Sequence, residues 1–289
     1  MKCAGIYASV PTPFNHLGEL YRAKVFHNFS RWNRVALSGY LVTGPAGEDS
    51  FLTLAEREQL WRWSVEAAEG RSVIAGVAAE SVRESLTLAR LAHQAGCVAV
   101  AATPPRSHPD ILRCSRFSTT YFRALADGSP LPLVVLNDIR AAGFRLSMET
   151  LASLTLHPNI HAVATSMLED IRQLRSTAPE RCAVLALGAD QLWPSLDAGA
   201  HGTISSFAAA LPYPAVLIWE AHRMRDRETA SDWQERIAPV ADLVERSVPA
   251  LKMALDLTSF YGGPPRLPLL PLSAPESEQL AHSLAPIRG

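Results

Sequence analysis

Lysine is scarce in this chain of 289 residues. Of 27 basic residues only Lys2, Lys24 and Lys252 are lysines, so covalent chemistry through an amine has three candidates, none between Lys24 and Lys252. Paired cysteines are missing as well. Cys3, Cys97, Cys114 and Cys182 are scattered, with no Cys-x-x-Cys and no Cys/His ligand spacing, which points to reduced thiols rather than a metal or disulfide framework. No apolar run reaches the roughly 18 residues that span a bilayer. The start, Met1 to Tyr7, is too weakly apolar and too soon broken by Pro11 and Pro13 for a signal peptide. A net charge of −1 gives no attraction to nucleic acid or an anionic membrane. The expectation is a soluble cytoplasmic protein with no cofactor and no metal.

What is present is an alternation. Short apolar runs at Ile6–Val10, Tyr40–Val42, Val73–Gly76, Cys97–Ala101, Leu133–Leu136, Ile160–Ala164, Ala183–Leu187 and Gly202–Ile204 are each followed by a polar turn and a helical pattern. Helix signals include Val25, Phe29 and Trp32 on one face, capping boxes at Thr53/Glu56 and Ser81/Glu84, a single helix over about Asp110–Leu125, and a cap at Ser147. Strands apolar on both faces and separated by helices are parallel strands with helices outside them. Eight such units in roughly 210 residues predict a (β/α)8 TIM barrel rather than an open doubly wound sheet. No Gly-x-Gly-x-x-Gly follows the first strand, against a dinucleotide site. After Pro214 only helical patterns remain, so the chain divides into a barrel over 1–212 and a small C-terminal helical subdomain over 213–289.

A barrel of this kind puts its reacting groups where strands end and turns begin. The polar residues there are Thr12, Thr43, Glu48, Thr103, Arg106, Asn137, Asp138, Arg140, Thr165, Ser166, Asp190, Ser205 and Ser206. The turn from Gly44 to Gly47 offers backbone N–H groups that could receive a carboxylate. Asp138, Glu169, Asp190 and His108 come from separate turns with no ligand spacing, so a metal is not expected. His161 and His201 read as structural, Trp61 and Trp63 as core or interface residues, and the run His222–Arg227 as a solvated helix end.

The ordered motifs resemble one family. Ala8-Ser9-Val10-Pro11-Thr12-Pro13-Phe14, Gly44-Pro45-Ala46-Gly47-Glu48 with Leu54-x-Glu56-Arg57, Leu131 to Asn137, Pro158-Asn159-Ile160, His201 to Ser205 and Arg266-Leu267-Pro268-Leu269-Leu270-Pro271 are similar to segments of the dihydrodipicolinate synthase / N-acetylneuraminate lyase family. The resemblance implies a barrel with a helical tail, assembled as a homodimer or homotetramer. It also implies Schiff-base chemistry on a 2-keto acid, from a lysine on strand six aided by a tyrosine on strand five and a hydroxyl-bearing Gly-x-x-Gly-Glu turn. In this sequence those positions are Ala164, Leu136, and Pro45 with Ala46; Gly44, Gly47, Glu48, Asn137, Gly188, Gly202 and Ile204 are retained. Lys24 lies on an outer helix and Lys252 in the tail, at a place where the family often carries a structural lysine, so none is expected at the barrel top. The reading is a binder of a small carboxylate or keto acid, or a partner of an active paralogue in a mixed oligomer, with Arg106 or Arg140 as the anion contact. The alternative is a lyase- or synthase-like enzyme using non-covalent acid–base chemistry. Asp138, Glu48 or Asp190 would then be the acid or base, and Thr165 or Ser166 would orient the substrate. Leu136 and Met167 are candidates to fill the vacated space.

Overall fold

The computed structural model describes residues 3–107 and 109–287. Eight parallel strands close into a barrel in sequence order: β1 Gly5–Ser9, β2 Gly39–Val42, β3 Ser72–Gly76, β4 Ala99–Ala102, β5 Leu133–Asn137, β6 Ile160–Thr165, β7 Ala183–Leu187 and β8 Gly202–Ser205. Closure joins β8 to β1 with Gly5 opposite Gly202. That contact needs glycine, since a Cβ on Gly202 would run into the Gly5 backbone. The expected eight-strand barrel is therefore the architecture present, with strand ends shifted by one or two residues.

Strand residues alternate between two apolar layers, as parallel strands buried on both faces must. Tyr7, Leu41, Ile74, Val134, Leu136, Leu185, Leu187 and Ile204 point inward with Ala99, Ala101, Ala162 and Ala164. Large side chains on β1–β3, β5, β7 and β8 thus meet alanines on β4 and β6, filling the interior. Outward-facing residues such as Ala8, Val100, Val135 and Val163 join the helices in the main core.

The helices begin where their caps dictate. Thr53 and Glu56 form the full capping box of Leu54–Ala67, and the Ser147 side chain accepts from Thr150 N. At Val82–Gln94 only the forward half exists, Ser81 Oγ accepting from Glu84 N at 3.2 Å. The helix expected over Asp110–Leu125 is two pieces, Pro109–Leu112 and Ser115–Gly128, because Cys114 is extended (φ −68°, ψ 124°). Helical turns at Ile139–Ala142, Leu192–Asp197 and Phe207–Ala210 are too short for periodicity to reveal.

Past β8 the chain runs through Pro212–Met224, Arg227–Arg246, Val248–Leu257 and Ala274–Leu284. Buried residues of these helices, among them Ile218, Val240, Val244 and Leu251, belong to the same apolar core as the barrel helices. The junction at Ser247, with Pro249 in the first turn of the following helix, turns the chain back over the strand ends. Among the described residues no helix is long and apolar enough to cross a membrane.

Candidate functional site

A cavity of about 280 Å³ opens at the C-terminal ends of the strands, at the small end of ligand pockets. Its strand-end lining is Ser9, Leu41, Leu136, Leu187 and Ile204, mostly inward-facing apolar side chains. Polar groups come from the turn after β2 (Glu48, Asp49, Ser50), from Arg106, from Asp138 and Arg140 after β5, and from Glu245 and Arg246 in the tail.

The turn after β2 is held in shape by strain and its compensation. Thr43 and Glu48 both sit in the left-handed region, at φ 56° and 59°, a conformation costly for a β-branched residue. Thr43 Oγ1 donates to Gly76 O (3.1 Å) and accepts from Trp61 Nε1 (2.7 Å), which fixes it. Thr12 Oγ1 donates to Gly47 O at 2.6 Å. The backbone of this turn is a poor anion nest: Pro45 has no N–H, and the Gly47 N–H is given to Gly44 O at 2.8 Å. Pro45 and Ala46 line the cavity; Thr12, Gly44 and Gly47 do not.

Among the described residues, six of the seven charged ones that line the cavity are paired. Glu48 Oε1 lies 2.6 Å from Lys252 Nζ, both side chains almost fully buried. Asp49 is 2.8 Å from Arg106 Nη2, and Arg106 Nη1 meets Ser50 Oγ. Asp138 Oδ1 accepts from Arg140 Nε at 3.2 Å, and Arg246 Nε donates to Asp242 Oδ1 at 2.6 Å. The exception is Glu245, held by neutral donors: Ser205 Oγ at 2.5 Å and Phe207 N at 3.1 Å to Oε1, and Ser206 N at 3.0 Å to Oε2. Burial pushes its carboxyl up from the ordinary glutamate range, against the pull of those donors and of Arg140. Asp190 is also raised, first by burial, with Arg140 opposing. Gly188 (φ 93°) lets these groups close in, because a Cβ there would stand 2.7 Å from Asp190 Oδ1 and 3.5 Å from Glu245 Cδ.

Of the candidates read from the sequence, Glu48, Arg106, Asp138, Arg140, Gly188, Ile204 and Ser206 line the cavity. Asn137 and Thr165 instead turn into a buried network with Asp170, Thr165 Oγ1 donating to Asp170 Oδ2 at 2.9 Å and Leu146 N donating to Asn137 Oδ1 at 2.8 Å. Ser166 and Asp190 stand outside the lining, and Ser205 acts through Glu245. Leu136 lines the cavity without closing it, while Met167 is 37% exposed and outside it. Ala164 is fully buried in the interior layer beside Leu136, its register partner. His201 Nδ1 accepts from Val184 N at 3.0 Å, a backbone role. Glu169 faces Arg172 on the outer side at 3.6 Å, and His108 lies outside the described residues.

Two tail residues bear on the cavity in ways the turns do not announce. Lys252, expected as a structural lysine of the tail, is ion-paired to a residue of the cavity wall, although it does not itself line the cavity. Glu245 had one legible signal: a carboxylate in the last turn of a helix opposes the helix dipole, an unfavourable placement that asks for a reason.

This geometry sits on a chain with many relatives. The model described as the dihydrodipicolinate synthetase family matches residues 2–286. The chain belongs to that family. It is 30% identical over 293 residues to 4-hydroxy-tetrahydrodipicolinate synthase of Exiguobacterium sp. strain AT1b, covering 97% of this chain and 96% of the relative. N-acetylneuraminate lyase of Rhizobium meliloti is 29% identical over 300 residues, covering 99% and 96%. The crystal structure of dihydrodipicolinate synthase DapA-2 from Bacillus anthracis matches with a TM-score of 0.93 at 22% identity over 98% of each chain, a likeness of fold. Family membership thus carries the barrel and the tail together.

Proposed function

We propose that the barrel-top cavity binds a small carboxylate of the 2-keto-acid class without a covalent bond to the protein. The observation that carries this reading is that, among the described residues, no lysine lines the cavity. By the resemblance of the flanking motifs, the family's strand-six lysine and strand-five tyrosine correspond to Ala164 and Leu136, which are register partners on β6 and β5. A methyl group cannot form an imine. The amine of Lys252, which pairs with the cavity wall, is held at 2.6 Å by Glu48 and donates to Pro264 O at 2.9 Å, which commits its nitrogen to structure rather than attack.

Arg140 is the favoured anion contact. Arg106 spends both terminal nitrogens on Asp49 and Ser50, whereas Arg140, which also lines the cavity, engages Asp138 through Nε and keeps its terminal pair for bidentate contact with a carboxylate in this reading. The apolar lining of Leu41, Leu136, Leu187 and Ile204 suits a short acyl chain. The family kinship supports assembly as a homodimer or homotetramer, or a mixed oligomer with an active paralogue. The composition of the complex recovered from the native source decides between them.

The test is intact-protein mass spectrometry after incubation with pyruvate and borohydride, with an active family member in parallel. The expected spectrum shows no mass gain for this chain. A stoichiometric adduct mapped to any of its three lysines would sink the reading. Calorimetry should then find binding of 2-keto acids, weakened about 10- to 100-fold in Arg140→Met, the worth of a charge-assisted hydrogen bond of about 1.5–3 kcal/mol.

A further inference from the structure

We infer that Glu245 is the acid–base residue of this cavity and that, with a 2-keto acid held on Arg140, it moves the proton between the ligand's C3 and solvent. The inference rests on the non-covalent reading above and deepens it.

Three features carry it. Glu245 is the one charged lining residue with no ion-pair partner of its own among the described residues, so its charge is not neutralised in place as those of Glu48, Asp49 and Asp138 are. Its hydrogen bonds leave one opening. A carboxylate has about four lone-pair positions; Oε1 accepts from Ser205 Oγ and Phe207 N, while Oε2 accepts only from Ser206 N. The remaining position on Oε2 belongs to a side chain that lines the cavity. Finally, Glu245 is fixed. Ser205 Oγ is itself anchored by accepting from Ala208 N at 3.1 Å, so the carboxylate is oriented from β8 and the turn after it, not by its own helix alone. Orientation with one free lone pair is what a general base needs.

The step balances without a cofactor. The C3–H bond breaks and its proton passes to Glu245 Oε2. The C2=C3 double bond forms, and the carbonyl π pair moves onto the C2 oxygen as an enolate beside the Arg140 guanidinium. In reverse, a hydron that has exchanged with water on Glu245 returns to C3. In heavy water the net change is C–H to C–D with release of HOD.

Glu245 titrates in company. Arg140 and Asp138 face the cavity from the turn after β5, Asp190 stands beside Gly188 after β7, and Asp242 and Arg246 flank Glu245 on its own helix. Burial holds the carboxyl above its ordinary range. The exchange rate should therefore rise with pH and level off above the ordinary glutamate range, as Glu245 becomes the free base.

The experiment is proton NMR of pyruvate and 2-ketobutyrate in heavy water with the full chain, read as loss of the C3 signals over a pH series. Binding is measured alongside by calorimetry. The expected result is exchange above the buffer rate, slowed about 100-fold or more in Glu245→Gln, with the dissociation constant changed less than about threefold because Arg140 is the anion contact. Binding with no exchange, or equal exchange in Glu245→Gln, overturns the role of Glu245 and leaves the binding site standing. No binding of either keto acid overturns both. Should Glu245→Gln not fold, Ser205→Ala decides. Removing the hydroxyl that favours the ionised carboxyl must move the pH profile upward, and an unmoved profile overturns the inference.

Discussion

Replacing Lys252 by methionine lowers the stability of the chain by about 3–5 kcal/mol, the cost of leaving one member of a buried ion pair without its partner. The two side chains are 2% and 0% exposed, and Nζ and Oε1 stand 2.6 Å apart. Taking the ammonium away leaves the Glu48 carboxylate inside the protein, with the Arg266 N–H at 2.7 Å as its remaining donor. The methionine stem fills the volume, so the loss is electrostatic rather than a cavity. Burial already works against the charged amine and pulls the Lys252 pKa down, with Glu48 pushing back. The pair is therefore tolerated because both members are present. It follows that Lys252→Met with Glu48→Gln recovers more than half of the loss, since the amide can still accept from Arg266 N and no charge is stranded. Urea denaturation of the four proteins reads this directly. The single variant should melt on the order of 6–15 °C lower. A double variant no more stable than the single one would show that packing, not charge, sets the cost.

That pair also marks the boundary of what the residues reveal before they are folded. The barrel is legible because its signal is local and repeated: eight short apolar runs, each closed by a turn and followed by a cap. The site is legible where it rides on those turns, as Glu48, Arg106, Asp138 and Arg140 do. It is not legible where a polar strand-end residue has a better partner outside the cavity, as Asn137 and Thr165 have in Asp170. Nor is it legible where the tail folds back. Glu245 and Lys252 reach the barrel mouth from residues 40 and 204 positions away from Ser205 and Glu48, and no periodicity or spacing encodes such an approach. The scarcity of lysine is legible under any alignment, because none stands between Lys24 and Lys252. What it could not show is that Lys252, expected as a structural residue of the tail, would find its ion-pair partner in Glu48 of the cavity wall.

Acid weakens the fold through Glu56 in a way that Arg266 controls. Arg266 spends all five side-chain N–H groups: Nε and Nη2 on Gly18 O, Nη1 on Phe51 O, and the two terminal nitrogens on Glu56 at 2.9 and 2.6 Å. This bidentate fork ties the Pro-rich segment 264–268 to the helix after β2, and Glu56 at the same time caps that helix through Thr53 N at 2.8 Å. Arg266 is the first cause, with the Thr53 bonds behind it, of a Glu56 pKa held down to about 2. The unfolded chain carries this group near its ordinary value of roughly 4.3. Between those two values the unfolded state binds more protons than the folded one. The stabilisation is thus complete above about pH 5 and drains away as pH falls toward 2, on the order of 2–3 kcal/mol after allowance for partial exposure of the pair. Arg266→Met removes the cause. It should cost about 2–4 kcal/mol at neutral pH, for the lost charge-assisted bonds and the carbonyls left without a donor, and it should flatten the acid limb. Arg266→Lys does not rescue it, because a single ammonium cannot span both Glu56 oxygens and the two carbonyls. Urea midpoints at pH 7, 5, 4 and 3 separate the parts. The gap between wild type and Arg266→Met narrows as Glu56 protonates, and a gap that stays constant with pH would assign the role of Arg266 to its carbonyl contacts alone.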